Sequence, residues 1–283
     1  MNIQKRVAAI HDISCFGRCS LTVALPIISA TGVETAVIPT AVLSTHTGGL
    51  TGFTYRDLTD DIEKIVDHWI SLNLRFDAIY TGFLGSFEQI DIISKTFDRL
   101  RSEGTMVIVD PVMADNGELY KIFPKDFPSG MKKLCEKADV IIPNITEAVM
   151  MLNEDYISGP YTCGYIESLL RRLGKINGRK AVLTGVSFND EELGAASFDS
   201  ETGKISYSFA RRIPGYYHGT GDVFGSALTA SLINGLSLEK ATDIAVRFTV
   251  GSIQRTYDAR TDIRFGVDFE SGLKELAETV LKR

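Results

Sequence analysis

Short β-branched or apolar runs alternate with longer amphipathic stretches through the first two thirds of the chain, and a chain with this rhythm has few folds open to it. VAAIHDI is followed by a helical pattern over 20–31, ETAVIPTAVL by one over 57–72, FDAIYTGFL by one over 86–103, and ADVIIPN by patterns over 144–152 and 161–174. TMVIVDPV and KAVLTGVSF read as further strands. Strands separated by helices pair in parallel, because a crossover helix returns the chain to the same end of the sheet. Beyond Phe188 the rhythm changes: ELGAASFDSETGKISYSFARRI reads as two strands joined by a turn at 200–204, and the remainder is nearly all helical. The expected fold is an α/β, three-layer α/β/α sandwich in a single domain over 1–283. Its central sheet is mostly parallel, with a hairpin added at one edge. The stretch 111–130 reads as a long loop, lying over a site or across the surface.

At 283 residues, with 44% hydrophobic and 23% charged side chains, the chain can bury one large core. Thirty basic against 36 acidic residues give a net charge of −6 with no dense Lys/Arg stripe, which argues against a nucleic-acid partner. The N-terminal apolar run is too short for a signal segment, and no later run reaches a membrane-spanning length, so the expected location is the cytoplasm. Cys15, Cys19, Cys135 and Cys163 form no CxxC pair and lack a nearby histidine cluster. They are expected to be reduced, mostly structural thiols.

In an open parallel sheet, ligands bind beyond the carboxyl ends of the strands. Asp12 follows VAAIH, Asp110 follows MVIV, Asn144 follows VIIP and Thr184 follows AVL. Each has an ordinary structural reading as well: Asp110 before Pro111 suits a turn, and Asn144 with Glu147 fits a capping box. Further along, HGTGDVFGSALTASLING (218–235) gathers Gly219, Gly221 and Gly225 around a helix start. These glycines are expected to leave room for a ligand beside the backbone. The helix, read over 223–233, places Val223, Phe224, Ala227, Leu228, Ser231 and Leu232 on one face, and Asn234 with Gly235 stops it. A helix mouth offers unpaired N–H groups and a positive dipole end to an anion, although Asp222 also suits a simple N-cap. Asp110, Glu147 and Asp222 together bring three carboxylates to one edge, where oxygen ligands hold magnesium through water. That combination points to phosphoryl transfer.

Other chemistries lack their residues. Both Gly-Lys pairs, 174–175 and 203–204, are followed by isoleucine, so there is no P-loop. The 219–225 glycines are spaced GxGxxxG and come late in the chain, unlike a dinucleotide fingerprint. GxSxG and HExxH are absent, and the four histidines are scattered.

FGRCSLTVALPIISATGVET, STHTGGLTGF, YTGFLGS, VDPVMADNGELY, IIPNITEA and GTGDVFGSAL together resemble the ribokinase-like superfamily, and within it the pyridoxal kinase branch, along nearly the whole chain. The resemblance implies a ribokinase-like sandwich that transfers phosphate from ATP, with Mg²⁺, to the 5'-hydroxymethyl group of pyridoxal or a relative. It assigns Asp222 as general base and the amides of Gly219, Thr220 and Gly221 as the anion hole. Asp110, Asn144 and Glu147 fall around magnesium and the ATP phosphates, with Asp110 and Glu147 nearest the metal, and Thr184 falls near the phosphate chain. His46 and Thr47 fall in the segment that contacts the pyridine ring. It also implies a homodimer and a monovalent cation, and the adenine is expected against the late helices near 246–253.

Three positions depart from the family pattern. Asp12 stands where many members carry a serine that contacts substrate, Phe83 replaces a ring-stacking tyrosine, and Ile142 replaces a threonine before the PN pair. Asp12 suits a more basic acceptor such as pyridoxamine, or a protonated pyridine nitrogen. Phe83 also suits an ordinary core position. Two alternatives remain: a hydroxymethylpyrimidine kinase of the same superfamily, whose substrate is also a flat heterocycle bearing CH₂OH, and a non-catalytic sensor of pyridoxal phosphate or nucleotide.

Overall fold

Strands covered on both faces need apolar residues on both, and the central strands here satisfy that requirement. In the computed structural model, which describes residues 4–282, the strands are β1 (Arg6–Ser14), β2 (Glu34–Leu43), β3 (Tyr55–Asp57), β4 (Ala78–Thr81), β5 (Met106–Val109), β6 (Ala114–Asp115), β7 (Glu118–Leu119), β8 (Val140–Ile141), β9 (Lys180–Val186), β10 (Glu192–Asp199) and β11 (Lys204–Arg211). The α-helices are α1 (Leu21–Ala30), α2 (Thr59–Ser71), α3 (Phe87–Leu100), α4 (Phe127–Cys135), α5 (Ile145–Leu152), α6 (Cys163–Asn177), α7 (Thr220–Ile233), α8 (Leu238–Ala259) and α9 (Leu273–Leu281).

One sheet runs in the order β11-β10-β9-β8-β5-β4-β1-β2-β3. From β2 to β9 every pairing is parallel, while β3 on one edge and the β10–β11 hairpin on the other are antiparallel. The edge hairpin matches the sequence reading, but β3 is an addition to it: three exposed residues carry no alternation to read. From β1 the chain steps outward to β2 and then returns to the other side of β1 as β4, so strand order reverses between β1 and β4. The crevice beyond the carboxyl ends of those two strands is where such a sheet binds its ligand.

Side chains alternate between two cores. Ala8, Ile10, Ile79, Val107, Val109 and Ile141 face α2 to α6, whereas Val7, Ala78, Tyr80, Ile108, Val140 and Val182 face α1, α7, α8 and α9. Each helix closes the layer with its apolar stripe. On α3 the hydroxyl of Ser86 accepts the Gln89 N–H at 3.1 Å to start the helix, and Ile90, Ile93 and Phe97 turn inward. Helix α7 departs from the expected one-faced pattern. It begins at Thr220, and every residue from Val223 to Ile233 is buried, because α1 and α8 cover the sides that the sheet leaves free.

The stretch 111–130 is not the long loop that its composition suggests. It holds the small β6–β7 hairpin, turned at Asn116 and Gly117 with φ of 50° and 81°, and then enters α4 at Phe127. Two-residue strands are too short for periodicity to register, although Asn-Gly is a strong turn signal. All four cysteines are free thiols, with Cys15 and Cys163 exposed rather than structural. Among the described residues, no helix is long and apolar enough to cross a membrane.

Phe97 is 1% exposed and joins α3 to the sheet. Phe97→Ala is expected to lower unfolding stability by about 3–5 kcal/mol. Chemical denaturation checks this; a loss under about 1 kcal/mol would mean that the core on this face closes around the cavity.

Candidate active site

At the mouth of α7, Gly219 is the N-cap with φ +73°, and a methyl group on it would stand 1.9 Å from the Arg18 carbonyl oxygen. A methyl on Gly225 would stand 2.4 Å from the Tyr80 hydroxyl. Around Gly221 nothing lies within 4 Å of that point. The expectation that all three glycines clear space for a ligand therefore fits Gly221 alone; the other two make room for the protein's own Arg18 and Tyr80. The first helical bond runs from the Val223 N–H to the Gly219 oxygen at 3.1 Å, so the amides of Thr220, Gly221 and Asp222 precede the helical ladder at the positive end of the dipole.

Asp222 is the third residue of α7, so the capping reading is corrected: Gly219 caps the helix, and no side-chain cap bond forms. Burial raises the Asp222 pKa to about 7, a hydrogen bond from the Ser20 backbone pulls it down, and the negative field of Asp12 pushes it up again.

Asp12 lies inside β1 rather than after it, at a register shift between His11 and Ile13 against β2. Such an irregularity re-aims a side chain. The carboxyl is 5% exposed and accepts the Ser14 hydroxyl at 3.3 Å. Burial holds its pKa up, against hydrogen bonds from Ser20 and Ser14 and the nearby His46. Ser20, at φ 56° and ψ −129°, lies beside two carboxylates and lowers the pKa of both Asp222 and Asp12. Strained backbone of this kind collects at functional sites. No local pattern in the sequence marks Ser20, because its role arises from contacts with distant residues.

His46 is buried, accepts the Gly48 N–H at Nδ1 (3.1 Å) and donates from Nε2 to the Arg264 carbonyl at 2.5 Å. Those two bonds fix the tautomer with its proton on Nε2. The His46 ring lies 5.3 Å from that of His218, which meets Tyr216 edge-on at 5.1 Å, while the Tyr216 hydroxyl donates to Asp115 at 2.6 Å. Thr47 is exposed on the same loop. Phe83, just past β4, is half-buried with its ring 5.7 Å from Phe123, so it packs on the core while keeping an open side.

Asp110 follows β5 and continues the ladder through its N–H to the Thr81 oxygen at 3.0 Å. Its carboxyl is 7% exposed, and burial together with the charges of Glu147 and Asp222 drives its pKa well above the carboxylate range. Asn144 and Glu147 form the capping box of α5. Glu147 also accepts the Met113 N–H at 3.1 Å, and the Asn144 amide donates to the Ala114 oxygen at 2.8 Å, so the same pair anchors the β6–β7 hairpin. Burial raises the Glu147 pKa to about 8 despite these bonds. Thr184 sits within β9, partly exposed, and bridges to Asn144. Ile142, by contrast, is buried in the α7-side core, as are Val246 and Phe248 of α8.

Asp110, Glu147 and Asp222 thus join Asp12 in having raised pKa values, and no lysine or arginine is among the causes of these shifts. Among the described residues no three His, Cys, Asp or Glu side chains gather closely enough to hold a metal ion alone. This donor set fits a cation that arrives with a polyphosphate, because magnesium is commonly held by one or two carboxylates, several waters and the phosphates themselves.

Residues 24–264 match the phosphomethylpyrimidine kinase family, and the chain belongs to that family. A Bacteroides thetaiotaomicron protein assigned to phosphomethylpyrimidine kinases, one crystal form of which contains pyridoxal, is 38% identical with a TM-score of 0.92, over 97% of this chain and 96% of that one. Pyridoxal kinase from Lactobacillus plantarum is 32% identical with a TM-score of 0.88, over 97% of both chains. The pyridoxine kinase of Bacillus subtilis is 26% identical over 182 residues, which is 64% of this chain and 65% of that enzyme's length. The fold is the ribokinase-like sandwich of these kinases.

The two flanking glycines of the motif are expected to respond in opposite directions. Gly219→Ala meets both a positive φ and the Arg18 carbonyl, and loses more than about 1 kcal/mol of stability. Gly221→Ala gains roughly 0.5–1 kcal/mol from helix propensity while its methyl enters the open space above the amides and slows turnover. Thermal melts and nucleotide turnover of the two variants check this; a Gly221→Ala protein that melts lower at unchanged activity contradicts it.

Proposed function

We propose that this chain is an ATP-dependent kinase for the 5'-hydroxymethyl group of pyridoxal and its close relatives, serving vitamin B6 salvage. The observation that carries the reading is Asp222: a carboxyl group with pKa near 7 in the first turn of α7, beside leading amides that are unpaired. A general base works best with a pKa near the operating pH, and this one can accept the alcohol proton as the oxygen attacks. The relatives named as pyridoxal and pyridoxine kinases, and the pyridoxal-containing crystal form of the 38% identical protein, support the acceptor.

Phosphoryl transfer asks for alignment and charge stabilisation rather than covalent chemistry. The Gly219, Thr220 and Gly221 amides hold the transferring phosphoryl group in this reading. Asp110 and Glu147 would hold Mg²⁺ through water beside the ATP phosphates, with Asn144 and Thr184 along the phosphate chain. The cation supplies neutralisation of the phosphate charge. Asp12, His46, Thr47 and Phe83 form the acceptor side: His46 offers a ring fixed in one tautomer, Phe83 a partly open aromatic face, and Asp12 a buried acceptor for a ring N–H or an amine. A homodimer, a monovalent cation beside the phosphates and a cytoplasmic location complete the proposal.

The family description favours one second reading, a kinase of the pyrimidine alcohol. Turnover of the two alcohols separates them: pyridoxal is expected to be preferred, and a tenfold or greater preference for hydroxymethylpyrimidine overturns the vitamin B6 assignment. Asp222→Asn retains the size of the side chain but cannot take the alcohol proton. It is expected to lower pyridoxal-dependent ADP formation at least about a hundredfold while its melting temperature holds. An active Asp222→Asn protein would place the base elsewhere, and a wild-type protein that forms no ADP with either alcohol would leave the sensor.

A further inference from the structure

Tyr80 stands in β4 on the face that carries α7, and it is fully buried. Its ring meets that of His11 on the neighbouring β1 edge-on, with centroids 4.6 Å apart. Beyond the ring, the hydroxyl reaches under the second turn of α7 into the gap left by Gly225. The position that a Gly225 methyl would take is 2.4 Å from this hydroxyl and 3.6 Å from Oδ2 of Asp110, so helix, phenol and carboxylate share one small space.

The Tyr80 hydroxyl has no hydrogen-bond partner, nor has the hydroxyl of Ser226, the next residue of α7 after Gly225. Buried hydroxyls are nearly always paired, and a phenylalanine would fill the same ring space without the penalty. A phenol buried here, beneath a glycine of the covering helix, has a donor to deliver. The adjacent acceptor with free capacity is Asp110, whose carboxyl receives no hydrogen bond that offsets its burial.

We propose that Tyr80 is a positioning residue of the nucleotide side of the site: its O–H, unpartnered in the ligand-free protein, donates to the Asp110 carboxylate and accepts from the Ser226 hydroxyl once nucleotide binds, and so fixes Asp110 against the first turns of α7. The inference rests on the kinase reading and deepens it. Gly225 is then glycine for the sake of this phenol, which accounts for the last glycine of the motif without a ligand. The acceptor pocket around Asp12 and His46 takes no part.

Tyr80→Phe removes only the hydroxyl and keeps the packing on His11. The Kd of MgADP measured by calorimetry and the KM of MgATP are both expected to rise roughly tenfold, the KM of pyridoxal to stay within about twofold, and the melting temperature of the ligand-free protein to hold or rise. Nucleotide constants equal to wild type overturn the proposal, as does a parallel rise in both KM values with a lowered melting temperature. Gly225→Ala supplies the control. Its melting temperature is expected to fall, and to recover in Gly225→Ala/Tyr80→Phe, where the methyl meets no hydroxyl; failure to recover also overturns the proposal. A wild-type protein that binds MgADP but phosphorylates no alcohol would sink the kinase reading instead, leaving the calorimetry and melts to judge Tyr80.

Discussion

Helix α7 is sunk into the molecule on every side, and the geometry of the site follows from that burial. A helix so placed cannot shift without disturbing the sheet, α1 and α8 together, so its N-terminal amides and Asp222 are held where the sheet's strand order reverses. Close approach is made possible by small residues: Gly225, Ser226, Ala227, Ala230 and Ser231 let the backbone settle near the strands. The same approach strips water from Asp222, and the rise in its pKa is the electrostatic consequence of the packing.

Burial alone would make such a site unfavourable. Glu147 and Asp222 both press on Asp110 with like charge and no basic side chain relieves them, and the hydrogen bonds that Glu147 and Asp222 accept from backbone amides offset only part of that cost. A cation bound to polyphosphate would supply the positive charge that these side chains lack. The same residues also handle mechanics. Asn144 and Glu147 cap α5 and tie down the β6–β7 hairpin, whose Asp115 is linked through Tyr216 and His218 to His46. In the proposed kinase these contacts join the nucleotide side to the acceptor side.

Much of this was legible in the sequence because strands buried on both faces leave near-continuous apolar runs, and the helices between them keep strong periodicity. The parallel core, the β10–β11 edge and the Asn144–Glu147 capping box all have local signatures. β3, β6 and β7 are too short to leave one. The glycines of GTGDVFG were visible, but their purposes were not: whether a glycine faces solvent, Arg18 or Tyr80 depends on residues far away in sequence. Ser20 and Tyr80 carry no local signature for the same reason, since a serine at a loop end and a tyrosine in a strand look ordinary until the chain brings carboxylates beside them.

The most direct test of the central claim, that the carboxylates around the α7 mouth await a cation-bound polyphosphate, is the proton balance of MgADP binding, obtained by calorimetry near pH 7 in buffers of different ionisation enthalpy. Ligand-free Asp222, with pKa about 7, and Glu147, with pKa about 8, are partly protonated there, and an arriving cation favours their charged forms. The account predicts net release of protons on binding. Binding with no proton exchange, or with uptake, would contradict it.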